Sequence, residues 1–189
     1  MMGLSVVIPS HNDVYLQQTI ASLLENATGE IEVLPVLDGY EPVRPLPADP
    51  RVRAIRHEHN LGMREAINTG VAAARQPFIM RSDEHCMFGP GYDEILLAQI
   101  EPNWIVTPRR YKLDPIRWKR MDRLGFIDYE KLLIITKASG RTKFAGVEWK
   151  ERRDSRLDIS EDETMAMQGS CWVMSKAWWE RVIGRLDSE

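Results

Sequence analysis

The stretch Arg81-Ser-Asp-Glu-His-Cys86 sets two carboxylates, an imidazole and a thiol directly behind an apolar run. Residues i and i+2 of an extended chain project to the same side, so Asp83 and His85 can reach one divalent cation while Glu84 points away. A carboxylate beside an imidazole suits Mn²⁺ and, less selectively, Zn²⁺. A D-x-H pair by itself is more often a strand that ends in solvent.

Asp38-Gly39 closes another apolar run, where Asp-Gly is a common turn. Its functional reading is a carboxylate that accepts a hydrogen bond from a nucleobase imino group. His59 to Asn68 (HNLGMREAIN) is richer, because Asn60 and Gly62 make a tight entry to a helix whose first turns carry Arg64 and Asn68. Exposed backbone N–H groups and a cation at a helix start favour an anionic phosphate. The plain alternative is an N-capped surface helix. Tyr111 to Arg123 (YKLDPIRWKRMDR) interleaves basic and aromatic residues and could meet a polyanionic acceptor such as nucleic acid or a phosphorylated glycan. Its plain alternative is a solvated helix face with Trp118 in the core.

The elements that must position these residues follow from hydrophobic periodicity. Leu4 to Ile8 is a buried strand stopped by Pro9, after which Ser10, Asn12 and Asp13 offer N-cap chemistry. Leu16, Ile20, Leu23, Leu24 and Ala27 recur at helical spacing over 14–27. Ile31 to Leu37 is a second strand in which Pro35 signals a bulge or an edge position. Glu41 to Pro50 is a proline-rich loop and Val52 to Ile55 a short third strand. Met63 to Ala74 is a helix whose small residues imply close approach to the sheet. Pro77 to Met80 is the fourth strand. Further on, the pattern gives a helix over 92–100, a strand over 104–107, a strand over 166–174 and a helix over 176–183; residues 111–156 carry no clear assignment. Strand, helix, strand, short strand, helix, strand is an α/β domain with a largely parallel sheet, whose ligands collect at the carboxyl ends of strands. Ser10, Asn12, Asp38, Asp83, Glu84 and His85 all lie just past strand ends.

With 189 residues, 43% of them apolar and 28% charged, the chain can bury one substantial core. A net charge of −3 and a pI near 5.9 give no bulk reason to expect nucleic-acid or membrane-surface binding. Two cysteines, Cys86 and Cys171, are too few for a disulfide framework and fit a reducing compartment. The start lacks a basic, apolar leader, and no window approaches the roughly 18 apolar residues of a membrane span, so the expected location is cytoplasmic.

Taken in order, VVIPSHND, LDGYEP, HNLGMREAINTGVAAA and FIMRSDEHC resemble the family 2 glycosyltransferases, which use a nucleotide-diphosphate sugar in a GT-A (Rossmann-like) fold. The D-x-H-C form at Asp83, His85 and Cys86 is similar to that of the polypeptide N-acetylgalactosaminyltransferases, and WIVTPRRY, VEWKERRDSR and MQGSCWVMSKAWWERVIGRLD extend the likeness over nearly the whole chain. The resemblance implies one α/β domain, with a nucleotide-sugar half at 1–90 and an acceptor half at 91–189. It implies a UDP-sugar donor, Mn²⁺ or Mg²⁺ held by Asp83 and His85, and an acceptor that is a glycan, a protein or a nucleic acid. Position by position, Ser10 and Asn12 line the nucleotide pocket, Asp38 binds the uracil, and Arg64 and Asn68 flank the phosphates. Pro9, Asn60, Gly62 and Ser82 complete the binding set. Gly169 and Ser170 lie under the sugar, with Ser170 in place of the usual second glycine.

The resemblance also implies an acidic residue about two dozen positions past Gly169, which this sequence stops short of, as a chain truncated at its C-terminal end would. Glu161, Asp162 or Glu163 are the alternatives for that role. A nucleotide-sugar-binding module without turnover is the competing reading. A nucleotidyltransferase is disfavoured, because PSHND is not a glycine-rich phosphate loop.

Overall fold

The structure, a computed structural model, describes residues 2–12, 14–127, 129–139, 142–151, 157–164, 167 and 169–187. The chain divides into two compact units, one of residues 1–108 with 169–189 and one of residues 109–168, a different division from the expected halves. The first unit begins with β1 (Leu4–Ser10), α1 (Leu16–Asn26), β2 (Ile31–Asp38), β3 (Ile55–His57), α2 (Met63–Ala73), β4 (Phe78–Ser82), α3 (Tyr92–Leu97) and β5 (Ile105–Val106). The second holds β6 (Arg110–Tyr111), β7 (Leu113–Asp114), β8 (Lys119–Arg120), β9 (Phe126–Ile127), β10 (Tyr129–Ser139) and β11 (Thr142–Glu151). The chain then returns to the first unit with β12 (Cys171–Ser175) and α4 (Lys176–Trp178), which continues as a wider turn over Trp179–Ile183.

The main sheet has the order β3-β2-β1-β4-β12-β5. β1 to β4 run parallel, and β12 is antiparallel to both of its neighbours. This is the expected mostly parallel sheet flanked by helices. Because β2 and β3 build outwards on one side of β1 and β4 lies on the other, the strand order reverses between β1 and β4, the position beside which sheets of this kind commonly bind ligands.

Every residue of β1 is buried, and its alternation divides the core in two. Leu4, Val6 and Ile8 pack with Leu16, Ile20 and Leu23 of α1, whereas Val7 packs with Ala66, Ile67 and Val71 of α2. Each such aliphatic side chain contributes roughly 1.5–3 kcal/mol by leaving water. The close approach expected of α2 is present: a Cβ on Gly70 would lie 2.3 Å from Val7 Cγ1.

Several expectations are corrected. Pro9 does not stop β1 but pairs in register with Val36. Pro35 lies in an interior strand with an unbroken β1 register. Its nitrogen faces the same side as that of Val33, which donates to Arg51 O and accepts from Arg53 N, and the β2–β3 pairing lapses opposite it before resuming at Val36–Ile55. The missing donor thus costs a gap in the neighbouring ladder. Val52 makes only an isolated bridge with Val33, and the third strand starts at Ile55. No side chain caps α1, whose N-cap position is Tyr15; Asp13 lies outside the described residues. β4 runs two residues further than expected, which draws Arg81 and Ser82 into the sheet. β12 begins after Gly169 and Ser170 rather than containing them.

In the second unit, Tyr111 to Arg123 is not a helix. β7 and β8 form a small hairpin, and Trp118 sits half-buried at a positive φ of 50°. β10 and β11 form a longer antiparallel hairpin. Among the described residues, no helix is long and apolar enough to cross a membrane.

Candidate functional site

Arg81 occupies the last stretch of β4, two residues after Ile79, and shares its side of the strand. Ile79 belongs to the core beneath α2, so Arg81 also points towards that helix and is 4% exposed. A guanidinium so enclosed needs partners. Its Nη2 lies 2.6 Å from Asp83 Oδ1 and 3.2 Å from Met63 Sδ, and Nη1 donates to the carbonyl of Gly169. The Asp83 amide donates to Ser170 O at 2.9 Å, extending the β4–β12 pairing by one rung.

With Oδ1 committed to Arg81, the other carboxylate oxygen of Asp83 turns to His85: Oδ2 lies 3.8 Å from Nε2. Asp83 is 26% and His85 54% exposed in their side chains, so solvent reaches both. Two ligands each about 2.1 Å from one cation and about 90–110° apart at it stand about 3.0–3.4 Å from one another, so Asp83 and His85, at 3.8 Å, would share a divalent ion after a side-chain shift of about half an ångström. Among the described residues, no group of three or more His, Cys, Asp and Glu forms a complete protein cage. Two protein ligands with the remaining positions left to phosphate oxygens and water is how Mg²⁺-type sites are commonly built.

Glu84 is not idle. Its Oε1 accepts from the His11 amide at 3.3 Å, which ties the loop after β1 to the loop after β4. Cys86 is held inward, its amide donating to Thr19 Oγ1 at 3.0 Å. Burial first, and the Asp83 charge second, push its thiol up to about 11.

Asp38 and the start of α2, expected to act separately, lie in one cluster. Asp38 is 2% exposed, and its carboxylate accepts from Leu61 N at 2.9 Å, Gly62 N at 2.8 Å and His57 Nδ1 at 2.7 Å. Burial alone would raise its pKa, yet the Leu61, His57 and Gly62 donors hold it below the ordinary carboxylate value. The carboxylate of Asp38 thus occupies the amides of Leu61 and Gly62 and locks the loop before α2. Gly39 (φ 73°) makes the lock possible, since a Cβ there would lie 2.2 Å from Asn60 N. Asn60 reinforces it, accepting from Gly62 N at 2.9 Å while its Nδ2 lies 3.1 Å from His11 Nε2.

The other expected contacts divide by exposure. Pro9, Ser10 and Ser82 are buried; the Ser10 hydroxyl is hydrogen-bonded to that of Tyr40, and Ser82 Oγ donates to Asp83 O at 2.9 Å. They shape the strand ends. Asn12 is exposed, with φ 66°. Asn68 is corrected: its amide donates to Leu186 O at 2.9 Å and accepts from Leu186 N at 2.8 Å, so both its groups hold the segment after α4. Arg64 stays exposed, with one longer bond of 3.3 Å to Asp187 O. Gly169 is exposed and Ser170 half-buried beside Asp83. Glu161 and Asp162 are exposed residues of the second unit, where Asp162 Oδ1 accepts from Glu163 N at 2.7 Å.

Arg81, His57 and Glu84 are what sequence reasoning missed. The signal for Arg81 was available, since R-x-D puts both residues on one face by the same alternation that pairs Asp83 with His85.

A parallel sheet with a strand-order reversal, and an Asp–His pair at the carboxyl end of β4 beside it, defines an α/β protein of the nucleotide-binding kind. The family model for glycosyl transferase family 2 matches residues 5–183, and the chain belongs to that family. Mouse polypeptide N-acetylgalactosaminyltransferase 12 is 26% identical over 208 aligned positions, which take in 97% of this chain and 33% of that protein. The chain thus spans a third of that relative's length. Among solved structures, S. aureus TarS matches over 51% of this chain and 19% of its own, with 19% identity and a TM-score of 0.42. S. aureus TarS 1-349 in complex with UDP-GlcNAc matches over 51% of this chain and 30% of its own, with 20% identity and a TM-score of 0.41.

Proposed function

We propose that this chain transfers a sugar from a UDP-sugar to an acceptor hydroxyl or amine on a glycan, a protein or a nucleic acid. Membership of glycosyl transferase family 2 supports the reaction class. The observation that carries the site is the facing of Asp83 Oδ2 and His85 Nε2, 3.8 Å apart, at the sheet's switch point. These two side chains would hold Mn²⁺ or Mg²⁺. Such an ion, when bound, offsets the negative charge that develops on the departing diphosphate.

The chain's own residues then do the rest. Arg81 fixes one oxygen of Asp83, so the other presents a single orientation. The lock of Asp38 on Leu61 and Gly62 sets the start of α2, where exposed Arg64 is the cation available to the diphosphate. Orienting donor and acceptor in one cleft lowers the entropic part of the barrier. If the transfer inverts the anomeric carbon, a carboxylate must take the acceptor's proton, and Glu161, Asp162 and Glu163 are the proposed bases. The domain is proposed to work in the reducing cytoplasm, in keeping with free thiols at Cys86 and Cys171.

A second reading, a nucleotide-sugar-binding module without turnover, is favoured by one observation: Asn68 is fully engaged by Leu186 instead of being open to a ligand. Calorimetric titration with UDP and Mn²⁺, followed by a UDP-sugar hydrolysis assay, separates the two. Binding with turnover supports the transferase, binding without turnover supports the module, and no binding refutes both.

A further inference from the structure

We infer that Arg81 is a positioning residue, which couples the metal-facing carboxylate Asp83 to the Gly169–Ser170 segment; this rests on the donor-site reading above. Three facts carry it. Arg81 is 4% exposed, so its charge is compensated within the fold or not at all. Its Nη2 pairs with Asp83 Oδ1 at 2.6 Å, and its Nη1 donates to Gly169 O. Nη2 also lies 3.2 Å from Met63 Sδ, which places the guanidinium against the first residue of α2.

One planar cation therefore meets three segments: the end of β4, the residues before β12 and the start of α2. A fork of fixed geometry can do this, whereas an ammonium offers one point of attachment. Two consequences oppose each other. A neighbouring positive charge weakens the attraction of Asp83 for a metal ion. Holding Oδ1 confines Asp83 to one rotamer with Oδ2 towards His85, which removes an ordering cost from metal binding. The side chain of Asp83 is only partly enclosed, so water screens the repulsion, and the orienting effect dominates.

The test is Mn²⁺ titration of the full chain in the presence of UDP, read from the electron paramagnetic resonance signal of free Mn²⁺, for wild type, Arg81→Gln and Arg81→Lys. Thermal melting of each variant without ligand is the control for folding. Outer partners of metal ligands typically contribute 10–100-fold in affinity, so Arg81→Gln weakens Mn²⁺ binding by about tenfold or more. Arg81→Lys can still pair with Asp83, but its single point of attachment leaves Gly169 unheld, so it recovers only part of that loss. Tighter Mn²⁺ binding by Arg81→Gln would show that the repulsion dominates and overturn the inference. Equal binding by a folded Arg81→Gln would reduce Arg81 to a structural residue and also overturn it, while leaving the donor-site reading intact. If the glutamine variant does not fold, the lysine variant decides: a loss of about threefold or more in the folded protein supports the guanidinium as a positioning fork, and affinity equal to that of the wild type contradicts it. Absence of Mn²⁺ binding by the wild type would overturn the donor-site reading and this inference together.

Discussion

The guanidinium of Arg81, almost fully buried, lies 2.6 Å from Asp83 Oδ1 and leaves the other oxygen of that carboxylate facing His85. Asp83 therefore does two things, compensating a buried cation and offering a ligand, and its substitution removes both at once.

Asp83→Asn is for this reason expected to lower stability as well as metal binding. Removing one partner of a fully buried pair typically costs about 3–5 kcal/mol. Asp83 is 26% exposed, so water can partly replace the lost carboxylate, and a loss of about 2–3 kcal/mol is expected. His85→Ala, at a side chain 54% exposed, is expected to change stability by less than about 0.5 kcal/mol. Urea denaturation of the two variants checks the contrast; equal losses would contradict it.

Gly70→Ala sets two effects against each other. Alanine favours the helix by about 1 kcal/mol, but its methyl would lie 2.3 Å from Val7 Cγ1, and overpacking costs about 1–3 kcal/mol. The net expectation is a destabilised protein in which Val7→Ala, added to Gly70→Ala, recovers stability. A double-mutant cycle reads the coupling; simple additivity would contradict the close contact.

Stability is expected to decline on acidification, partly through Glu32 on β2. Burial is the largest influence and acts to raise its pKa, but the Ser5 hydroxyl, the Arg75 amide and the Arg53 guanidinium together pull it below the ordinary 4.5. A depressed carboxylate contributes fully above its unfolded value and loses that contribution as pH falls through the folded value. In that window the unfolded chain binds more protons, so stability rises with pH. Glu32→Gln is expected to show a shallower dependence of its urea midpoint on pH below 4.5, at a lower plateau near neutrality. An unchanged slope would remove Glu32 from the account.

Asn68→Ala removes two hydrogen bonds to Leu186, each worth about 1 kcal/mol net. The expected result is faster hydrogen exchange at the Leu186 amide with little change in the β1 and β2 amides. Uniform acceleration across the sheet would mean that the contact supports the fold as a whole.

The parallel sheet and its two helices were legible in the sequence because β1, β2 and α2 carry strong apolar periodicity. Gly70 was legible as a point of close approach for the same reason. Pro35 misled because it was read as a local break, whereas the missing donor interrupts only the pairing towards β3. Arg81 had no role in the sequence reading because its burial depends on β4 running on to Ser82, although its spacing from Asp83 marked it. Asp38 and the amides of Leu61 and Gly62 were each recognised as polar partners awaiting a ligand. Their mutual contact spans 23 and 24 residues and depends on how β2 meets the loop before α2, which local pattern does not encode. The stretch around Trp118 carried no clear assignment, because basic and aromatic residues are interleaved there without a period and the turn at its positive φ has no glycine to signal it.

The central claim is that Asp83 and His85 form a donor site that binds a nucleoside diphosphate together with a divalent ion. Thermal shift of the full chain with UDP alone, Mn²⁺ alone and both, repeated on His85→Ala, tests it most directly. UDP and Mn²⁺ together are expected to raise the melting temperature of the wild type by more than the sum of their separate effects, and His85→Ala to abolish the excess. A wild type that shifts with neither nucleotide nor metal, or a His85→Ala variant that keeps the full synergy, would contradict it.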